Sequence, residues 1–266
     1  MLKNYSTKKN NWIKHWLELE KEGNVGLDYF INPVLYPLIC NEMNKIRKSV
    51  VVDFGAGTNF LANEILAGDK EKIFGLKKCK DLEGARKKIK RFVGVEESKS
   101  LIRNFKSKIS SLNFLKTITL LNHKIELGNL LPFKSRKIDL AISRNFFMHL
   151  SIEELDYHLD EVSRILKKDR VYVVSFLNPE YEKKKFKGKL INNQEYEFKH
   201  GREGEKGYFT QHYKDLETYE KLFSKQFKIL EKHPCKPLTE KFKKTHSRYY
   251  WKDNPLAFVY KLKNIK

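Results

Sequence analysis

The chain of 266 residues has only three cysteines, and none of them stands in the close spacing of a metal-binding or redox pair. Cys40, Cys79 and Cys235 are far apart in the sequence and odd in number. Disulfide frameworks use even sets of cysteines, and zinc sites use closely spaced pairs. The cysteines therefore indicate neither a disulfide framework nor a metal site, and they favour a cytoplasmic location.

Long hydrophobic runs are also absent. The longest apolar run, Val171–Leu177, fits a central strand and is far shorter than the ~18 residues that span a bilayer. The first residues, Met1–Lys9, lack the apolar core of a secretory signal peptide. We therefore expect a protein that has no membrane partner.

Negative charge is scarce, because 33 acidic residues stand against 54 lysines and arginines, giving a formal net charge of +21. Such a charge attracts polyanions in a salt-dependent way. The basic residues are mostly lysines spread along the whole chain, together with many asparagines, which is the pattern that an AT-rich genome would produce. A solvated basic surface is therefore favoured, and nucleic acid is the second-ranked partner.

The most informative stretch, residues 50–57, reads Val-Val-Val-Asp-Phe-Gly-Ala-Gly. An apolar strand ends at Asp53, and Gly55 and Gly57 allow the backbone to approach a ligand before a helix begins near Phe60. A dinucleotide fingerprint would need glycine in place of Phe60. A phosphate-binding Walker A loop would need a lysine at its end, where this chain has Thr58-Asn59-Phe60. The loop therefore suits a cofactor without phosphates.

A second apolar strand, Phe92–Val95, ends in Glu96, whose carboxylate can accept hydrogen bonds from both hydroxyls of a ribose. Asp53-Phe-Gly-Ala-Gly-Thr and Val93-Gly-Val-Glu96 together resemble motifs one and two of the class I S-adenosylmethionine-dependent methyltransferases. The resemblance covers about residues 30–262. It implies an α/β, Rossmann-like fold with a mostly parallel seven-stranded sheet, helices on both faces and S-adenosyl-L-methionine as cofactor.

The resemblance also implies the contacts with the methionine and ribose parts of the cofactor. Gly55, Ala56 and Gly57 would lie against this part of the molecule. Asp53 would organise the loop or meet the cofactor ammonium, and Glu96 would accept the ribose diol.

The adenine contact is expected after the third strand, which should end near Ile125–Gly128. Asn129, Leu130 and the Leu-Pro-Phe that follows resemble the adenine loop of the family, with Asn129 in place of an aspartate. An amide oxygen can accept a hydrogen bond from an amino group as a carboxylate does. Ser143, at the end of a fourth strand Ile138–Ser143, completes the predicted cofactor site.

The chain is expected to divide into an N-terminal helical cap segment, residues 1–48, and a methyltransferase domain, residues 49–266. Trp12, Trp16 and Leu19 at helical spacing predict an amphipathic helix in the cap.

Two insertions distinguish this chain from the pattern that it resembles. Asp53 and Glu96 are 43 positions apart, whereas ~20 would be typical, and the basic stretch 68–91 between them predicts a helical insertion. Ile73–Leu76 is rejected as the second strand because a lysine would then replace the acid. A polar and aromatic segment, 178–213, is interpreted as a lid after strand five.

Further along the chain the elements have clear signals. Ser151 and Glu154 form a capping box that begins a helix, and a fifth strand is predicted over Val171–Phe176. Gln211–Phe223 is predicted as a helix with Asp215 as a capping acid. The strands Phe227–Glu231 and Ala257–Leu262 are predicted to close the sheet.

The methyl acceptor is predicted to be a small molecule. Nucleic-acid amine methyltransferases have Asp/Asn-Pro-Pro-Tyr/Phe after the fourth strand, where this chain has Ser143–Phe146 without prolines. No cysteine lies there to attack a cytosine, and no RNA-binding module is evident. The alternatives are an RNA methyltransferase that uses the basic stretch 77–91 and a catalytically inactive S-adenosylmethionine-binding protein. A nicotinamide dehydrogenase is disfavoured by Phe60.

A hydroxyl acceptor would need a base near the methyl group, and histidine suits neutral pH. The candidates are His149, which follows the fourth strand, and His212 with Tyr213, which precede the lid helix at a position that resembles a substrate-facing pair of the family. Each of the three can also be a purely structural residue. The remaining histidines of interest are interpreted as surface residues, namely His123, His158 and His233.

Overall fold

The computed structural model describes eight stretches of the chain: residues 30–57, 60–68, 73–109, 117–186, 189–192, 195–200, 209–236 and 254–266. The predicted helix with Trp12 and Trp16 lies outside the described residues. In the part of the chain that is described, no helix has the length and apolar character needed to cross a membrane.

The elements have the following bounds. The strands are β1 (Ser49–Phe54), β2 (Ile89–Glu96), β3 (Ile118–Asn122), β4 (Ile138–Arg144), β5 (Leu166–Leu177), β6 (Lys189–Asn192), β7 (Glu195–His200), β8 (Phe209–Lys214), β9 (Phe227–Cys235) and β10 (Ala257–Asn264). The helices are α1 (Asn32–Asn44), α2 (Phe60–Ala67), α3 (Phe74–Lys77), α4 (Leu82–Lys88), α5 (Lys99–Ile109), α6 (Ile152–Ile165), α7 (Pro179–Phe186) and α8 (Leu216–Ser224).

Seven strands form the main sheet in the order β3-β2-β1-β4-β5-β10-β9. The first five are parallel, and β10 runs antiparallel to both β5 and β9. This confirms the predicted mostly parallel seven-stranded sheet. The strand order reverses between β1 and β4, and ligands of open α/β sheets bind at such a point, outside the carboxyl ends of the strands.

The sheet has a hydrophobic core on each face, because successive side chains of a strand point to opposite sides. From β1, Val51 packs into the core that contains residues of α1 and α2, whereas Val52 and Phe54 pack into the core that contains α6 and α8. Asp53 alternates with Val52 and Phe54, and it therefore points to the α1 face of the sheet.

The basic insertion holds two short helices, α3 and α4, as the composition predicted. Its apolar side chains are buried in the core that α1 also lines, among them Leu76, Leu82 and Ala85. Ile73–Leu76, which was rejected as a strand, leads into and forms most of α3.

Arg86, on α4, caps the end of the helix that follows the glycine loop. Its Nε donates a hydrogen bond to the carbonyl of Ile65 at 2.7 Å, and Nη2 donates to the carbonyl of Gly68. The last carbonyls of a helix lack partners within the helix, so a cation at this place is favourable. One of the basic residues of the insertion therefore stabilises α2.

The lid segment contains α7 and a second, antiparallel sheet in the order β6-β7-β8. The predicted helix Gln211–Phe223 is wrong at its beginning, because residues 211–214 belong to β8 and the helix starts at Leu216. Asp215 does cap it, accepting from the Thr218 amide at 2.7 Å. Residues 211–214 form a strand because they pair with β7, which lies more than ten residues earlier in the chain.

Several strand boundaries also differ from the prediction: β2 already starts at Ile89, inside the stretch 68–91 that was predicted as the insertion, β4 extends to Arg144 and β9 extends to Cys235. The third strand ends at Asn122 and Ile125–Gly128 lies in the loop beyond it, while the fifth strand already starts at Leu166. The capping box of α6 is confirmed, since Ser151 Oγ accepts from the Glu154 amide at 3.2 Å and Glu154 Oε2 accepts from the Ser151 amide at 2.9 Å.

We expect Arg86→Met to lower the free energy of unfolding by about 1–3 kcal/mol, because two carbonyls at the end of α2 lose a charged donor. The matched control is Lys87→Met, which removes an exposed cation from the same helix and should change stability by less than about 0.5 kcal/mol. Urea unfolding of both variants is the measurement. Equal losses in the two variants would contradict the capping role.

Candidate functional site

Four polar residues lie at or near the carboxyl ends of three adjacent strands, at one edge of the main sheet. Asp53 lies near the end of β1, Glu96 is the last residue of β2, and Ser143 and Arg144 end β4. The register brings Phe54 beside Val95 on one side and Ser143 on the other. This edge is the place where the strand order reverses.

The glycine loop after β1 has the conformation that its sequence predicts. Gly55 and Gly57 have φ values of +66° and +58°, which residues with a Cβ rarely adopt. A Cβ on Gly55 would stand 2.4 Å from a ring carbon of Phe146, whereas one on Gly57 would meet no described atom within 4 Å. Ala56 fixes the loop by donating to the carbonyl of Val95 at 3.1 Å. The loop is thus packed at Gly55 and open at Gly57.

Glu96 connects this loop to the end of β2. Its carboxylate accepts from the Gly57 amide at 3.0 Å and from the Ser98 amide at 2.7 Å, one bond to each oxygen. The side chain is buried, and this burial raises the pKa of the carboxyl to about 7. The hydrogen bonds from the two backbone amides lower the pKa, but by less than burial raises it. A carboxylate has about four acceptor positions, so two hydroxyls can still be bound.

Asp53 is the second buried carboxyl of the site. Burial raises its pKa to about 7, the guanidinium of Arg144 lowers it, and the nearby charge of Glu96 raises it further. Among the described residues, no donor reaches its Oδ1. A buried acceptor without a partner is unfavourable unless a ligand supplies the donor.

Ser143 points its hydroxyl away from these two carboxyls. Its Oγ lies 2.5 Å from the hydroxyl of Tyr172, which lies 3.0 Å from Nε2 of His158. Tyr172 belongs to the core of the α6 face, which is opposite to the face of Asp53. A cofactor contact from Ser143 would therefore come from its main chain.

The interpretation of His158 as a surface residue is wrong. The ring is fully buried, packs edge-on against Phe54 with 4.9 Å between centroids, and has its pKa lowered to about 3 by burial. The imidazole is therefore neutral. His158 lies on the apolar side of α6, a position that the helical period could have indicated.

The predicted adenine loop follows β3 as a series of turns. Asn129 donates from its side-chain amide to the carbonyl of Lys124 at 2.7 Å, which leaves its oxygen as the group suited to accept from an adenine amino group. Leu130 is 62% exposed beside it. Leu131 is buried, and its backbone amide donates a hydrogen bond to Oε2 of Glu161 at 2.8 Å. An exposed leucine next to an anchored loop is a suitable apolar surface for a planar ring.

The docking of β8 on the turn after β4 brings together the two elements that hold the three catalytic candidates. That turn, Phe147–His149, holds His149, and β8 holds His212 and Tyr213. Tyr213 is buried and donates to the side-chain oxygen of Gln211 at 2.7 Å.

Two further bonds connect the strand and the turn. Gln211 donates from its side-chain nitrogen to the sulfur of Met148 at 2.7 Å. The fully buried Lys214 donates to the carbonyls of Leu150 and His212. The strand β8 is therefore held against the turn that follows β4.

Arg144 is the site residue that the sequence-based prediction missed. Its guanidinium lies near Asp53 and donates from Nη1 to Oδ1 of Asn32, the first residue of α1, at 3.5 Å. The signal available in the sequence was its position directly after the fourth strand, at the predicted reversal of strand order. The prediction followed the known motifs of the family, and this arginine belongs to none of them.

Comparisons with known proteins agree with this geometry. Residues 75–174 match the sequence model of a family described as a methyltransferase domain. No curated protein sequence matches the chain.

Three solved structures share the fold. They are S-adenosylmethionine-dependent methyltransferases from Clostridium acetobutylicum, Methanosarcina mazei and Mesorhizobium loti. Their identities to the chain are 15%, 18% and 13%, with TM-scores of 0.60, 0.60 and 0.56. The similarity covers 96%, 87% and 86% of this chain and 99%, 98% and 97% of the respective neighbours.

The glycine loop, the buried acid at the end of β2 and the strand order are those of the class I methyltransferase fold, and residues 75–174 match a methyltransferase domain.

Proposed function

We propose that this enzyme transfers the methyl group of S-adenosyl-L-methionine to a small-molecule acceptor by in-line displacement. The observation that carries the proposal is the bond from the Gly57 amide to the buried carboxylate of Glu96, at the open side of the glycine loop. It couples the loop to the acid that would bind the ribose. S-adenosylhomocysteine would be the product.

The residues present fit this cofactor without any group for phosphates. Gly57 has no Cβ to fill the open side of the loop, Glu96 has remaining acceptor positions for a diol, and Asp53 has an unpaired buried oxygen for an ammonium. Asn129 and Leu130 would contact the adenine. When bound, the cofactor supplies an electrophilic methyl group on a sulfonium together with the leaving group.

The protein's own part is to hold the two reactants in line and to exclude water. Such orientation can lower a barrier by ~7–11 kcal/mol, so no catalytic dyad is required. The docking of β8 on the turn Phe147–His149 supports a closed acceptor pocket. His149 and His212 remain our candidates for a base, while Tyr213 is assigned to holding the lid, since its hydroxyl is bound to Gln211.

A small acceptor is preferred to RNA because the charges of the insertion do not form a uniform basic face. Arg86 is used in capping α2, and the exposed acids Asp81 and Glu83 stand among the lysines of α3 and α4. The cytoplasmic location stays a prediction.

Glu96→Gln tests the proposed function directly. The substitution keeps the size of the side chain but removes a charged acceptor worth about 1.5–3 kcal/mol, so the affinity for S-adenosylhomocysteine should fall about tenfold or more in calorimetric titration. The control is Glu97→Gln, an exposed neighbour whose loss should leave affinity unchanged. Failure of the folded wild-type protein to bind S-adenosylmethionine and S-adenosylhomocysteine would overturn the proposal.

Cofactor affinity should increase with pH up to about 7 and become constant above it. The ligand-free protein holds Asp53 and Glu96 with pKa values of about 7, and donors of the cofactor favour their ionised forms. Binding should therefore release protons, which calorimetry in buffers of different ionisation enthalpy detects. Glu96→Gln should remove part of the pH dependence.

The same two carboxyls should make the ligand-free protein less stable as pH rises. Their pKa values are higher in the folded protein than the 3.8 and 4.5 of free aspartate and glutamate, so the folded state holds protons that the unfolded state has lost. This stabilisation is complete below about pH 4 and is lost as pH rises through 7. An affinity for S-adenosylhomocysteine that decreases between pH 5 and 7 would contradict the assignment of the ionised carboxylates of Asp53 and Glu96 as the forms that bind the cofactor.

The RNA alternative predicts a different response to salt. Binding of a synthetic single-stranded RNA through the basic surface alone should decrease by about 10³-fold between 50 and 200 mM salt, as counterions are released. Filter binding over this range is the measurement, and S-adenosylhomocysteine affinity serves as the control that should remain unchanged. RNA binding that falls by this factor would support the RNA alternative, and the absence of measurable RNA binding at 50 mM salt would count against it.

A further inference from the structure

Three buried polar atoms without hydrogen-bond partners mark the carboxyl ends of three adjacent strands. They are Oδ1 of Asp53 on β1, Oδ1 of Asn145 after β4 and Oγ of Ser175 on β5, and none has a partner among the described residues. Their residues are 3%, 7% and 1% exposed. Buried polar groups normally have partners, so three unpaired ones at one edge indicate a place for a polar ligand.

Arg144 lies in the middle of this group. It pairs in register with Ser175, and Asn145 beyond it donates its amide to the carbonyl of Ser175 at 2.9 Å. Arg144 follows Leu140 and Ile142 at the strand period of two, and both pack in the core of the α1 face. Its bond to Asn32 of α1 agrees with this side. Asp53 points to the same face, so the acid and the guanidinium are neighbours there.

The strand order places this pair directly next to the predicted ribose site. Glu96 ends β2, Asp53 lies near the end of β1 and Arg144 ends β4, in that order along the edge. A cofactor with its ribose at Glu96 and its chain along the open glycine loop therefore extends towards Asp53 and Arg144. The part that lies beyond the ribose is an amino acid with one ammonium and one carboxylate.

We propose that Arg144 donates to the carboxylate of this zwitterionic end and so forms a specificity pair with Asp53, to which the resemblance already assigns the ammonium. The inference rests on the proposed function and assigns a role to an arginine outside the motifs. The planar guanidinium can donate two parallel bonds to a carboxylate, which a lysine ammonium cannot do. The pair would select adenosyl ligands that keep the amino-acid end.

The test compares ligands that differ only at this end. S-Adenosylhomocysteine carries both charges, S-adenosyl-3-thiopropylamine lacks the carboxylate, and 5′-methylthioadenosine lacks the whole amino acid. Calorimetric or competition affinities for the three are measured with the wild type, Arg144→Gln, Asp53→Asn and Glu96→Gln. Arg144→Lys is the second variant at this position, which keeps the charge if the glutamine protein does not fold.

Each variant has its own expected pattern. Arg144→Gln should weaken S-adenosylhomocysteine about tenfold or more and leave the two ligands without carboxylate within about threefold. Asp53→Asn should weaken both ligands that have the ammonium, while 5′-methylthioadenosine is spared. Glu96→Gln should weaken all three alike, because each contains the ribose. Arg144→Lys should keep only part of the preference for the carboxylate.

The outcomes separate the inference from the proposed function on which it rests. If Arg144→Gln weakens all three ligands equally, or none of them, Arg144 does not read the carboxylate and the inference is overturned while the cofactor assignment stands. If the wild-type protein binds none of the three, the proposed function itself is wrong. Binding of 5′-methylthioadenosine by a variant also shows that its site is folded, so a loss of S-adenosylhomocysteine alone cannot be attributed to unfolding.

Discussion

The carboxylate of Glu96 is the interaction on which the candidate site depends. It is buried at the end of β2. It accepts one hydrogen bond from a backbone amide of the glycine loop after β1 and one from the amide of Ser98, just before the next helix. Because each oxygen holds one amide, the carboxylate fixes the loop and orients its own remaining acceptor positions. The energetic consequence of burying this charge is a raised pKa, which a ligand with hydroxyl donors would reverse.

The insertion and the lid, which the common fold does not require, support this edge of the sheet from two sides. The insertion before β2 buries apolar residues in the same core as α1 and caps α2 through Arg86, so it stabilises the helix that follows the glycine loop. The lid contributes β8, which is joined to the turn after β4 through Gln211 and Lys214. The net charge of +21 accordingly does not act as one uniform surface, because several of the cations have structural partners.

More of the fold than of the candidate site could be predicted from the sequence. Strands, helices and their order follow from apolar periods and turn residues, and the structure has them with shifted ends, as at Leu166 and Asn122. The residues named for the cofactor were chosen by motif, and the structure gathers Asp53, Gly57 and Glu96 at one edge while it turns the Ser143 hydroxyl to the opposite face. Periodicity gave no indication of β8, because its strand form depends on pairing with β7.

The sequence by itself determined the features that are set within a few residues. A glycine loop follows an acid because positive φ values need residues without a Cβ, and the box of Ser151 and Glu154 begins α6 because both partners lie within one turn. Only the tertiary structure decided that Arg144 stands beside Asp53, that Arg86 caps α2 and that His158 is buried and neutral. The physical reason is that each of these depends on contacts between elements far apart in the chain, which local propensity does not encode.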